Sequence, residues 1–92
     1  MRIRLYGLLR DAAAHASAVT VDVCEGETVG SVLERLVTQY PRMRPLLFQR
    51  PGEIAPYVMI IVNGRDVRDG RGLAGGIGPK DEVALFPPSA GG

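Results

Sequence analysis

Ninety-two residues leave room for one domain around a single modest core. Eleven basic side chains against ten acidic ones give a formal charge of +1, with arginines and acids interspersed, so there is no basic face of the kind nucleic acid requires. One cysteine, Cys24, excludes an internal disulfide framework, and the longest apolar run, residues 57–62, is far short of the roughly twenty residues a membrane helix needs.

The opening Arg2-Ile3-Arg4-Leu5-Tyr6 alternates with period two, placing Ile3 and Leu5 on one face and Arg2, Arg4 and Tyr6 on the other. This predicts a half-exposed strand. The same alternation of charge and apolar groups is unlike the continuous apolar run of a signal peptide, so the expected location is cytoplasmic. Residues 10–16 are Ala-rich and predict a short helical turn. Residues 18–24 alternate again, with Val19, Val21 and Val23 inward and Thr20, Asp22 and Cys24 outward, predicting a second strand antiparallel to the first.

After the Glu25-Gly26-Glu27 turn, Thr28 is placed to cap a helix, although Ser31 stands where a full capping box would have Glu or Gln. Val29, Val32, Leu33, Leu36, Val37 and Tyr40 form one apolar stripe at helical spacing. Burying such a stripe contributes about 1.5–3 kcal/mol for each large side chain, making this helix the main source of core stability. Pro41 ends it. Residues 42–52 predict an irregular connection, with a helical turn packed down through Leu46, Leu47 and Phe48. The β-branched run at 57–62 predicts a largely buried strand, and Asn63-Gly64 is suited to a type I′ turn, with a short strand around Asp66 and Val67 folding back. Residues 69–79, with glycines at 70, 72, 75, 76 and 78, read as a loop with little to bury.

Val83 to Phe86 is strand-like, and Pro87-Pro88 stops the ladder because neither proline has an N–H. Consecutive prolines favour an extended path that points the remaining chain outward. Residues 89–92 then reach about 13–14 Å at roughly 3.3–3.6 Å per residue, enough to deliver the Gly92 carboxylate into a recessed site on another protein. Gly91 and Gly92 have no Cβ and fit a narrow passage. An α-carboxyl group, with an ordinary pKa of about 3.3–3.7, is ionised at neutral pH. The expected organisation is a domain over residues 1–88 with a flexible diglycine tail at 89–92.

The ending DEVALFPPSAGG, VNGRDV at 62–67 and RIRLYGLLRD at 2–11 closely resemble the MoaD family, the small subunits of molybdopterin synthase, which are ubiquitin-like sulfur carriers. The order strand, strand, helix, strand, short strand, strand predicts an α+β fold with one main helix across one face of a mixed sheet of four to five strands. It matches the β-grasp, ubiquitin-like architecture that the resemblance implies, with the first and last strands side by side in mid-sheet.

The resemblance also implies a chemistry. An E1-like adenylating enzyme activates the Gly92 carboxylate with ATP, and a persulfide donor converts the acyl-adenylate to a thiocarboxylate. The large subunit of molybdopterin synthase then accepts the tail for molybdenum cofactor synthesis. This chain binds no cofactor of its own; ATP is used by the partner, and the chain acts as a co-substrate, not a catalyst. Gly92 is the reacting group and Gly91 gives access. Tyr6, Phe86, Pro87 and Pro88 are assigned to partner docking, with a place in the core as the competing reading of Phe86.

The remaining candidates are weak. His15, the lone histidine, has no companions for a metal site or a catalytic dyad. The glycine-rich loop lacks the helix start with Lys and Ser/Thr that a phosphate cradle needs. Cys24 reads as a packed or a reactive thiol, and Arg10 as a charged contact or a solvated side chain. Arg65 and Asp66 read as turn chemistry. Lys80 is the only lysine, so it alone could extend a chain of such modules through side-chain amines. Two other functions stay open: a carrier serving thiamine, cysteine or tRNA thiolation, or a protein modifier joined to lysines; and a β-grasp interaction module with an inert tail.

Overall fold

The computed structural model describes residues 1–87. In chain order these form β1 (Arg2–Leu5), α1 (Leu8–Asp11), β2 (Ala18–Thr20), β3 (Glu27–Thr28), α2 (Val29–Gln39), α3 (Arg44–Leu47), β4 (Phe48–Arg50), β5 (Glu53–Ile54), β6 (Met59–Val62), β7 (Arg65–Asp66), β8 (Gly76–Ile77) and β9 (Val83–Phe86). Five of the strands build one mixed sheet in the order β2-β1-β9-β6-β7. The last strand is therefore the middle one, parallel to β1 with Ile3 opposite Val83 and Leu5 opposite Leu85, and antiparallel to β6 with Ile60 opposite Leu85. This is the β-grasp arrangement that the family resemblance implies.

The period-two pattern decides which side of the sheet is dry. Ile3, Leu5, Val19, Ile60, Val83 and Leu85 are buried on one face, where the α2 stripe of Val29, Val32, Leu33, Leu36 and Val37 meets them. Tyr40 falls one residue beyond the helix, as its C-cap, and is only partly buried. The capping box forms despite the missing Glu or Gln: Ser31 N–H donates to Thr28 Oγ1 at 3.1 Å, and Thr28 N–H donates to Ser31 Oγ at 3.2 Å. A serine hydroxyl is long enough here to do what the longer side chain usually does.

Three expectations need correction. The second strand is shorter than its alternation suggested, ending at Thr20, although Val21 still exchanges hydrogen bonds with Met1. The segment after α2 is more ordered than an irregular link: a 3-10 turn at Pro41–Met43 leads into α3, then β4 and β5 pair as a small hairpin, and Met43, Leu47 and Phe48 all enter the core. The glycine-rich loop also has something to bury. Its β8 pairs with β3, and Ile77 is buried against the common core. The burial of Leu47 and Phe48 is as expected, whereas Met43 and Ile77 stand where local apolar periodicity is absent, so only their tertiary partners reveal their burial.

Polar clasps hold the connections. Asn63 and Gly64 have φ of 51° and 83°, as a type I′ turn demands at both positions. Asn63 then reaches across to the entry of β9: its Nδ2 donates to Asp81 Oδ1 at 2.9 Å and its Oδ1 accepts from Glu82 N–H at 2.9 Å. The Asn63 amide and the Gly78 N–H together lower the Asp81 pKa. Arg68 donates to the carbonyls of Ala55 and Val58, fixing the segment that feeds β6. Asp66 accepts from Arg68 N–H at 2.9 Å, which is the turn role expected of it, and β7 begins one residue earlier than the sequence suggested.

Glu27 is the most strongly engaged acid. Arg35 donates to both its oxygens, at 2.7 and 2.9 Å, Cys24 N–H donates at 2.7 Å and Ser31 Oγ at 3.1 Å. These donors, Arg35 foremost, pull its pKa from 4.5 down to about 2. A depressed folded-state pKa gives stability that is fully present above the unfolded value and is lost as pH falls through the folded one. The stability gap between the parent and Glu27→Gln should thus be constant above pH 4.5 and close as pH approaches about 2. Thermal unfolding followed across that window tests it; a gap that does not change with pH would show that the ion pair is not responsible.

Candidate functional site

The site is the end of the sheet at which β1 stops, β6 begins and β9 ends. In β9 the burial alternates, with Val83 and Leu85 inward and Ala84 and Phe86 on the outer face, so Phe86 is not a core residue. Parallel pairing of β1 with β9 brings Tyr6 beside Phe86, and their rings stack at 4.3 Å between centroids with 9° between planes. Such pairs contribute about 0.5–1.5 kcal/mol beyond the area they bury. The stack half-covers Phe86 and leaves Tyr6 40% exposed.

One residue further on, Gly7 and Pro87 meet. Gly7 has φ 56° and ψ −135°, a conformation reserved for glycine, and a Cβ placed on it would lie 2.8 Å from Pro87 Cγ. The backbone of β1 thus turns away just where the proline needs room. This fixes the place of Pro87 at the end of β9.

The large apolar side chains left exposed among the described residues are Tyr6, Leu8, Tyr57 and Met59. All four lie at this same end. Tyr6 and Leu8 follow β1, Met59 stands opposite Phe86 in the ladder, and Tyr57, 83% exposed and with φ 69°, lies two residues before β6 starts at Met59. Clustered exposed apolar groups on a small domain mark contact surfaces. The sequence reading assigned Tyr6 and Phe86 here but missed Met59, Tyr57 and Leu8. Period two across residues 57–62 carried the signal for Tyr57 and Met59, since it sets them opposite to Val58 and Ile60, both buried.

Of the residues assigned to the site, Tyr6, Phe86 and Pro87 come together as described, whereas Pro88, Gly91 and Gly92 lie outside the described residues. Arg10 joins Arg2 and Arg4 around a hollow of about 320 Å³ on the flank of Tyr6. His15 is paired with Asp11, Nδ1 to Oδ1 at 3.0 Å, in an exposed position. Cys24 is exposed. Among the described residues no group of three His, Cys, Asp or Glu side chains converges as metal ligands would, and no helix is long and apolar enough to cross a membrane. Among the described residues this end of the sheet presents an exposed, mainly apolar surface.

Comparison with known proteins bears on what such a surface serves. A model of the ThiS family matches residues 3–92. Small archaeal modifier protein 1 of Haloferax volcanii is 35% identical over the full length of both chains. The sulfur carrier protein CysO of Mycobacterium tuberculosis is 38% identical over 69 residues, 73% of this chain and 74% of that protein. The crystal structure of SAMP1 from Haloferax volcanii superposes with a TM-score of 0.85 at 32% identity, covering 99% of this chain and 97% of that one.

Proposed function

Since this chain belongs to the ThiS family of ubiquitin-like sulfur carriers, we propose that it is a carrier or protein modifier whose working group is the carboxylate of Gly92. The observation that carries the reading is geometric. The strand leading to the diglycine is the central one of the sheet, and the exposed apolar side chains of the described residues collect where it leaves. A partner that docks on Tyr6, Phe86, Met59 and Tyr57 is thereby positioned to receive the tail, with residues 89–92 as the segment that enters it.

A free carboxylate is a poor acyl donor because its oxygen is a poor leaving group. In this reading an E1-like enzyme supplies ATP, a carboxylate oxygen of Gly92 attacks the α-phosphate, and pyrophosphate departs. A persulfide sulfur then attacks the acyl carbon and AMP leaves. Reductive cleavage of the resulting acyl disulfide, by a thiol of the sulfur-delivery system, frees the thiocarboxylate. A lysine amine attacking the same adenylate gives an isopeptide instead. Binding ATP is left to the partner in this reading.

The names of the relatives, an archaeal modifier and a CysO carrier, support a destination in protein modification or in a CysO-like sulfur pathway over molybdopterin synthesis. The small-subunit role in molybdopterin synthase remains the second reading, favoured by the Phe-Pro-Pro-Ser-Ala-Gly-Gly ending and qualified by Ser89, where that family has a bulkier residue. The test is intact mass after incubation with the E1-like enzyme, ATP and a persulfide donor. A gain equal to the exchange of one oxygen for one sulfur is expected. An unchanged mass, with the enzyme proved competent on another carrier, would leave an interaction module with an inert tail.

A further inference from the structure

Arg2 and Arg4 share the outer face of β1 with Tyr6, and with Arg10 they line the hollow of about 320 Å³ that Tyr6 closes at one end. All three arginines are exposed, and among the described residues none forms an ion pair. Other arginines of the chain are satisfied locally: Arg35 by Glu27, Arg44 by Glu34 and Arg50 by Glu53. No carboxylate lines the hollow; the nearest acid in sequence, Asp11, is engaged by His15. Across Arg2 and Arg4 a second groove also contains Lys80, with Asp81 and Glu82 at its loop end, where Asp81 is held by Asn63 and the Gly78 N–H.

Tyr6 belongs both to this hollow and to the apolar patch, so a partner seated on the patch also covers the arginines. Covering three guanidinium groups without pairing them would be strongly unfavourable, because a desolvated charge must be matched by an opposite one. With the docking reading above as its premise, we infer that the adenylating partner lays an acidic segment, carrying aspartate or glutamate side chains, along Arg2, Arg4 and Arg10. Nucleic acid is a poor fit for so small a cluster on a chain of net charge +1. The arrangement divides the labour: the aromatic patch supplies affinity, while the arginine row supplies orientation and speed of encounter.

The experiment compares the full chain with R2E/R4E and with R42E/R71E, which has the same net charge but reverses exposed arginines away from the hollow. The probe is the E1-like enzyme of the same organism, and the readout is pyrophosphate release against carrier concentration at increasing salt. For R2E/R4E, kcat/KM should fall about tenfold at low ionic strength with kcat unchanged, as expected for electrostatic steering. The deficit should narrow as salt rises toward 1 M, where the Debye length is roughly 3 Å and the steering part of the attraction is screened. R42E/R71E should behave as the parent, and R2K/R4K should keep most of its rate. Equal losses in the two reversal variants would overturn the inference, as would a salt-independent loss or a faster reaction for R2E/R4E, the last meaning that the arginines hold the chain's own carboxylate. A parent chain that releases no pyrophosphate would instead refute the carrier reading on which the inference stands.

Discussion

A chain lacking Gly92, or carrying one alanine appended after it, is expected to lose thiocarboxylate formation by at least about a hundredfold while unfolding at the temperature of the parent. The loss follows from positioning. One residue more or less moves the acyl carbon by roughly 3.3–3.6 Å, and misplacement by about 1 Å already costs on the order of a hundredfold in an oriented reaction. Stability should change by less than about 0.5 kcal/mol, as for substitutions outside packed or strained positions. Gly92 has no side chain to bury, and the core described above is complete by Leu85. Intact mass after activation and a thermal melt on the same samples check both halves. A melt shifted well below the parent would mean that the diglycine is part of the scaffold.

Gly7→Ala is expected to damage both the scaffold and the transfer. Placing an L-residue at φ 56°, ψ −135° costs about 1–3 kcal/mol in backbone strain. For a domain of this size each kcal/mol lowers the melting temperature by roughly 4–8 °C. The new Cβ also presses on Pro87 Cγ from 2.8 Å, which must shift the proline and with it the direction of everything downstream. Adenylation should therefore fall by about tenfold or more even at temperatures where the variant is fully folded. Pro87→Ala removes the offending ring atoms, so the double variant separates the two costs. If the clash matters, Gly7→Ala is less harmful in the Pro87→Ala background; if the two effects simply add, backbone strain is the whole effect and the proline is not being steered by Gly7.

Much of the scaffold was legible because it is written in local periodicity. The i, i+3, i+4 stripe from Val29 to Val37, the alternation of Ile3 with Leu5, and Asn63-Gly64 each repeat or concentrate a signal within a few residues, and each formed the element expected of it. Where the signal was nonlocal the reading fell short. Met43 is a core residue in a segment where only Leu46, Leu47 and Phe48 were expected to pack down, and Ile77 is buried only because β8 finds β3. Nor did the Asn63 amide announce that it would bind the start of β9 as well as shape its own turn.

For the site the division runs along the same line. Residue order placed a strand ahead of Pro87-Pro88 and the diglycine, and the family resemblance added the expectation that Gly92 is the reacting end. Parity along β9 left two faces open for Phe86, and the register closed the question, since Leu85 packs between Leu5 and Ile60 and turns Phe86 outward onto Tyr6. The gathering of Tyr6, Leu8, Tyr57 and Met59 at one edge and the opposition of Gly7 to Pro87 depend on strands more than fifty residues apart lying side by side, and the grouping of Arg2, Arg4 and Arg10 around one hollow depends on how α1 folds back beside β1. Periodicity acts over the few residues of one element and can be read from the chain. Pairing between distant strands is selected by the fit of the whole core, and only the folded chain records which pairs it chose.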